Sequence, residues 1–216
     1  MRIPRLLVAV LSAAALLAGP AAASASAATP GYTVQNWSGS GGCAGTHSIS
    51  PSSTTAGVQL SYALNNGCIY SQPQTWTFKA TAPGTGNVTF NWSYTGFHAY
   101  YDVTAFLRVF SQGTGGSTMT LVNAGPQNCC GHDPSGGFSY SGTATIHVTK
   151  GYAFGIQVGG DNYDSNPVMD GTVTLSVPSG AACKQDGWET QPLVVFRNQG
   201  ACVSYFATRQ MTPIGS

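Results

Sequence analysis

Residues 86–109, GNVTFNWSYTGFHAYYDVTAFLRV, decide the fold. Val88, Phe90, Trp92 and Tyr94 alternate there with polar residues, and Tyr101, Val103, Ala105, Leu107 and Val109 alternate again. Successive side chains of a strand point to opposite faces, so this period marks strands with one buried and one wet face. A helix would space its apolar residues at three and four. The same pattern extends outward on both sides. Val58, Leu60, Tyr62 and Leu64, then Trp76, Phe78 and Ala80, precede the stretch. After it, a Gly-rich GTGG at 113–116 leads to Met119 and Leu121, as in a hairpin. Three runs follow: Ala144, Ile146 and Val148; Tyr152, Phe154, Ile156 and Val158; Val173, Leu175 and Val177, with Lys150-Gly151 a tight break between the first two. Roughly eight short strands and no convincing amphipathic helix predict an all-β chain, an antiparallel β-sandwich or jelly roll.

The N-terminus is of another kind. Arg2 and Arg5 precede an apolar run from Leu6 to Leu17, then Gly19-Pro20 and a stretch ending Ala25-Ser26-Ala27. This is the layout of a secretory signal peptide over 1–27, with cleavage expected after Ala27, or alternatively after Ala25. The apolar run is 12 residues long. A spanning helix needs roughly 20, and no other segment reaches that, so no transmembrane segment is expected. Residues 28–45, Gly- and Ser-rich, read as a flexible lead-in, and 46–178 as the sandwich domain. Residues 179–216 read as a linker with a small tail, in which Leu193 to Phe196 form an apolar run.

Charged residues make up 7% of the chain, against about 25% in ordinary globular proteins. Beyond the leader, six Lys and Arg face seven Asp and Glu, and none form a basic stripe, so nucleic acid is excluded as a partner. Six cysteines follow the leader: Cys43, Cys68, Cys129, Cys130, Cys183 and Cys202. In an exported chain they read as disulfides rather than zinc ligands. A Cys183–Cys202 bridge would close the tail. Cys43 with Cys68 and Cys129 with Cys130 is the preferred pairing of the rest, cross-pairing of the two sets the alternative. The run Cys129-Cys130-Gly131-His132-Asp133 invites a metal or redox reading beside the structural one.

Two resemblances rest on particular residues. In the tail, Cys183, Gly187, Trp188, Phe196, Arg197, Asn198, Gln199, Gly200, Cys202 and Val203 resemble a short motif that recurs at the C-terminal end of actinobacterial exported proteins. That resemblance implies lineage and location rather than chemistry. The central region is similar to extracellular β-sandwich domains of anchored bacterial proteins. It shares Gly151, Phe154, Gly155 and Val158, an Asp/Asn-rich loop, and a final strand from Gly171 to Val177. The likeness extends to lectin-like and CUB-like folds and implies a sandwich, not an activity.

Two clusters could carry binding. Phe97, His98, Tyr100, Asp102 and Asn91 combine rings that stack on sugars with groups that take hydroxyls; Tyr94 to Phe97 read as a bend exposing Phe97 and His98. The competing reading makes these rings core. Asp161, Asp164, Asn166 and Asp170 offer hard oxygens for calcium, or simply cap turns. No Gly-x-Ser-x-Gly, His-Glu-x-x-His or phosphate loop is present. Asp161 and Asp164 are the nearest thing to paired carboxylates. The leading expectation is a secreted non-catalytic module binding carbohydrate or cell-envelope polymer. A structural or adhesive surface protein that binds other proteins is the first alternative, and a secreted glycoside hydrolase or other hydrolase the second.

Overall fold

A computed structural model describes residues 32–43, 45–64, 72–98, 103–127, 137–162, 169–184 and 191–210. The strands are β1 Tyr32–Val34, β2 Ser38–Gly41, β3 Thr46–Pro51, β4 Gly57–Ala63, β5 Gln72–Thr81, β6 Gly86–His98, β7 Val103–Ser111, β8 Thr118–Gln127, β9 Gly137–Val148, β10 Ala153–Asn162, β11 Met169–Ser176 and β12 Val194–Phe196. A 3₁₀ turn spans Gly180–Cys183, and among the described residues one helix, α1, spans Gln199–Gln210. Ten of the strands build two five-stranded antiparallel sheets. The order is β2-β5-β10-β7-β8 in the first, here the front sheet, and β3-β4-β11-β6-β9 in the second, the back sheet. The expected antiparallel sandwich is therefore what the chain forms.

The alternating residues meet between the sheets. Trp76, Phe78, Leu107, Val109, Ile156 and Val158 come from the front sheet and are buried. Val58, Leu60, Tyr94, Ile146, Val173 and Leu175 oppose them from the back sheet. Full burial of each such aliphatic side chain is worth about 1.5–3 kcal/mol. Consecutive strands mostly change sheet, the exceptions being the β3–β4 and β7–β8 hairpins. The GTGG turn closes the second, with Gly113 and Gly115 at φ +89° and +77°. At the β9–β10 corner, Tyr152 N donates to Thr149 O at 3.0 Å. Gly151 sits there at φ +80°, which side chains with a Cβ disfavour.

The ends of the chain differ from the expectation. The lead-in over 28–45 holds two strands rather than flexible chain: β2 pairs with β5, and β1 pairs with β12 of the tail, Tyr32 opposite Phe196. Tyr32 also packs on Phe196 and Tyr205, ring centroids 5.9 and 5.6 Å away. Its hydroxyl shares its proton between the carbonyls of Ser52 and Thr55 in the β3–β4 turn. A helix was not expected, yet α1 is present. Asn198 Oδ1 caps it, accepting from Ala201 N at 2.7 Å. Cys202, Tyr205 and Phe206 turn one side of α1 toward Phe196. The Cys183–Cys202 bond forms as expected. Cys68, Cys129, Cys130, Gly187 and Trp188 lie outside the described residues. Cys43 is at an exposed position, its backbone N–H donating to Gln74 Oε1 at 2.8 Å.

Candidate functional site

Of the aromatic cluster expected to bind, Asn91, Phe97 and His98 stand on β6, while Tyr100 and Asp102 lie outside the described residues. The expected bend at Tyr94–Phe97 does not occur; β6 runs through it to His98. Gly96 serves a different purpose, since a Cβ there would collide with the Asp170 carbonyl oxygen on β11. Strand alternation then separates the cluster. Asn91 and Phe97 face outward from the back sheet, and Asn91 Oδ1 accepts from Thr143 Oγ1 at 2.9 Å. His98 faces inward and is only 1% exposed, so it is a core residue and no ligand platform.

The setting of His98 is fully paired. Its Nδ1–H donates to Thr104 O at 3.0 Å, which leaves Nε2 to accept from the Tyr62 hydroxyl at 2.6 Å. Tyr62 in turn accepts from Tyr94. Tyr62 stacks on Trp76 with centroids 4.5 Å apart. Burial lowers the pKa of His98 to about 4 and raises those of both tyrosines, so all three are neutral near pH 7. This is a hydrogen-bonded polar knot buried in the core.

Of the residues expected to hold calcium, two fall on described strands. Asp161 is on β10 of the front sheet and Asp170 on β11 of the back sheet, while Asp164 and Asn166 lie outside the described residues. Asp170 is exposed, and partial desolvation raises its carboxyl pKa. Among the described residues no three His, Cys, Asp or Glu gather closely enough to hold a metal.

The outer face of the front sheet presents a different set. Three rows cross it: Ser38, Lys79, Gly155, Phe110 and Thr118; Ser40, Thr77, Gln157, Arg108 and Thr120; Thr75, Gly159, Phe106 and Asn123. Phe106 and Phe110 occupy the outward phase of β7, each directly opposite a glycine of β10. Both glycines are fixed by the backbone. A Cβ at Gly155 would collide with Phe78 O, and one at Gly159, where φ is +149°, with Gln74 O. Both are nonetheless buried on a face where they carry no side chain, so neighbouring side chains cover them. The opposed rings are the largest candidates, an aromatic-over-glycine arrangement known to stabilise sheets. Phe106 and Phe110 are half-buried. Four residues of strand set them about 13 Å apart. The Arg108 guanidinium stands 4.8 Å from the Phe106 centroid. Gln157 lies between the two glycines with amide donors and acceptors on offer.

None of these front-face residues was expected from the sequence to bind. The available signal was phase: Phe106 and Phe110 fall among the polar positions of TAFLRVF, off the Ala105, Leu107 and Val109 register.

No family model matches the chain, and no curated protein matches it. Solved structures of similar fold include the module TmCBM61 in complex with β-1,4-galactotriose, at TM-score 0.34 and 12% identity over 66% of this chain and 89% of that one. A family 35 carbohydrate-binding module from Clostridium thermocellum aligns at TM-score 0.33 and 9% identity, covering 68% and 98%. The K1 adhesin domain of Lys-gingipain from Porphyromonas gingivalis W83 aligns at 0.33 and 12%, covering 66% and 91%. Likeness at this level bears on neither ligand nor chemistry.

Proposed function

We propose that this protein is a secreted, non-catalytic module that binds a polysaccharide on the outer face of its front sheet. The observation that carries the reading is the pair of half-exposed rings, Phe106 and Phe110, opposite Gly159 and Gly155, with Gln157 and Arg108 between. A ring with one open side offers an apolar surface to the C–H face of a sugar. Flanking amide and hydroxyl groups then fix orientation through hydrogen bonds. The leader-like 1–27 segment and the Cys183–Cys202 bond support an extracellular setting. Among the described residues no helix is long and apolar enough to cross a membrane.

The test is a panel of soluble polysaccharides run by affinity electrophoresis against wild type, Phe106→Ala, Phe110→Ala and Phe97→Ala. The front-face variants should lose about tenfold or more in affinity while losing about 1 kcal/mol or less of stability. Phe97→Ala, on the opposite sheet, should bind as wild type does. Binding that survives both front-face substitutions would refute the assignment.

Calcium belongs to the same proposal as an ordering ion at the β10–β11 connection, with Asp161, Asp164, Asn166 and Asp170 as its oxygen donors. A rise in melting temperature on adding calcium, reversed by chelator and absent in Asp164→Asn, is the expected result. A melt indifferent to calcium removes the ion from the proposal.

A further inference from the structure

We propose that the front face selects polysaccharides bearing carboxylates, which it meets with Arg108 and Lys79. This rests on the reading of that face as a glycan platform and adds the chemical class of the ligand.

The chain is poor in charge, yet two of its few cations stand in the central rows of one face: Lys79 beyond Gly155 from Phe110, Arg108 beside Gln157. Lys79 and Arg108 are exposed. Asp161 stands on β10 two residues past Gly159, opposite Pro73 and beyond these three rows. With Arg108 stacked on Phe106, the edge of its guanidinium is left to donate in the paired geometry that suits a carboxylate. A neutral sugar needs only the ring and the amides, whereas a uronate would use the ring and the cation together. Strand and row spacings set Lys79 and Arg108 about 12 Å apart at their Cα atoms. That separation suits successive units of a polymer rather than one small anion. Fixed cations of this kind act chiefly on selectivity and approach rate.

The experiment compares polygalacturonate with the same polymer fully methyl-esterified, and with a single-stranded oligonucleotide, at ionic strengths of about 0.01 and about 0.15 M, where charges are screened over about 30 and 8 Å. The acid form should bind wild type about tenfold tighter than the ester, with the gap narrowing at the higher salt. Lys79→Gln and Arg108→Gln should each remove about threefold of that preference, in line with exposed charge contacts. Arg108→Lys, which keeps the charge but loses the paired donors and the stacking plane, should lose most of Arg108's share of the preference, and Arg197→Gln, an exposed cation on the tail, should change nothing. Phe110→Ala should weaken acid and ester alike. Equal binding of both forms that Phe110→Ala still weakens overturns the charge selectivity and leaves the platform standing. Binding of neither form, with Phe110→Ala without effect, overturns both. An oligonucleotide that binds tighter than polygalacturonate overturns the choice of a glycan.

Discussion

Lowering the pH from 7 toward 4 should cost this protein a defined amount of stability through one residue, His98. Burial holds its folded pKa at about 4, against an ordinary 6.5. Between those values the unfolded chain takes up a proton that the folded chain refuses, so the unfolded state gains on acidification. The contribution is fully present above pH 6.5 and is lost as the pH falls toward 4. At 1.36 kcal/mol per unit, the shift amounts to about 3 kcal/mol. The slope through the middle of the window should approach 1.4 kcal/mol per pH unit, one proton's worth. Asp170, whose folded pKa is raised, acts with the opposite sign near the acid end, where the folded state binds the extra proton. The assay is urea unfolding across this range for wild type and His98→Asn. The variant starts less stable, since it breaks the bonds to Tyr62 and Thr104. Its stability should nevertheless be nearly flat where wild type declines, and Asp170 cancels in the comparison. Parallel curves for the two proteins would refute the buried, neutral histidine and the chain of hydrogen bonds inferred from it.

Two other perturbations address the scaffold. Gly159→Ala places a Cβ against the Gln74 carbonyl at a backbone angle of φ +149°, so it should lower stability by about 2 kcal/mol or more and shift the urea midpoint accordingly. Replacing both Cys183 and Cys202 by Ser removes a cross-link between residues 19 apart, which in the chain-entropy model costs about 3 kcal/mol in thermal or urea unfolding.

The sandwich was legible because its central strands bury one face each, and Val58, Leu60, Tyr62, Trp76 and Phe78 carry that in their spacing. The strands at the margins were not. Ser38–Gly41 has no apolar side chain and Thr46–Pro51 has only Ile49 in the middle, so their pairing with β5 and β4 is decided by backbone hydrogen bonds that leave no pattern. Val194–Phe196 was visible as an apolar run, but its partner Tyr32–Val34 lies at the far end of the chain. The helix was hidden because only Cys202, Tyr205 and Phe206 mark its inner side. For His98 the phase it shares with Phe90, Trp92 and Tyr94 already pointed inward. Gly96 suggested a bend, when its role is to let the backbone of β11 come close. The front face was out of reach for a topological reason. Phe106 and Phe110 acquire meaning only beside Gly159 and Gly155, and β7 and β10 become neighbours through a crossover that local sequence does not announce.

The clasp between the two ends has a mechanical consequence. Tyr32 begins β1 and Phe196 ends β12, and these two are paired, so the chain enters and leaves the clasp on the same side. Tension on the N-terminal end peels β1 away one pair at a time, the weak way to load an antiparallel ladder. Tension on the C-terminal end follows another path. From Cys202 it crosses the sulfur bridge to Cys183 and passes directly to Val177 and β11, so residues 184–201, β12 among them, carry no covalent load. Pulled at both ends, the protein would yield first at its N-terminal edge. Its C-terminal side would keep about 65 Å of chain slack in reserve, released only on reduction.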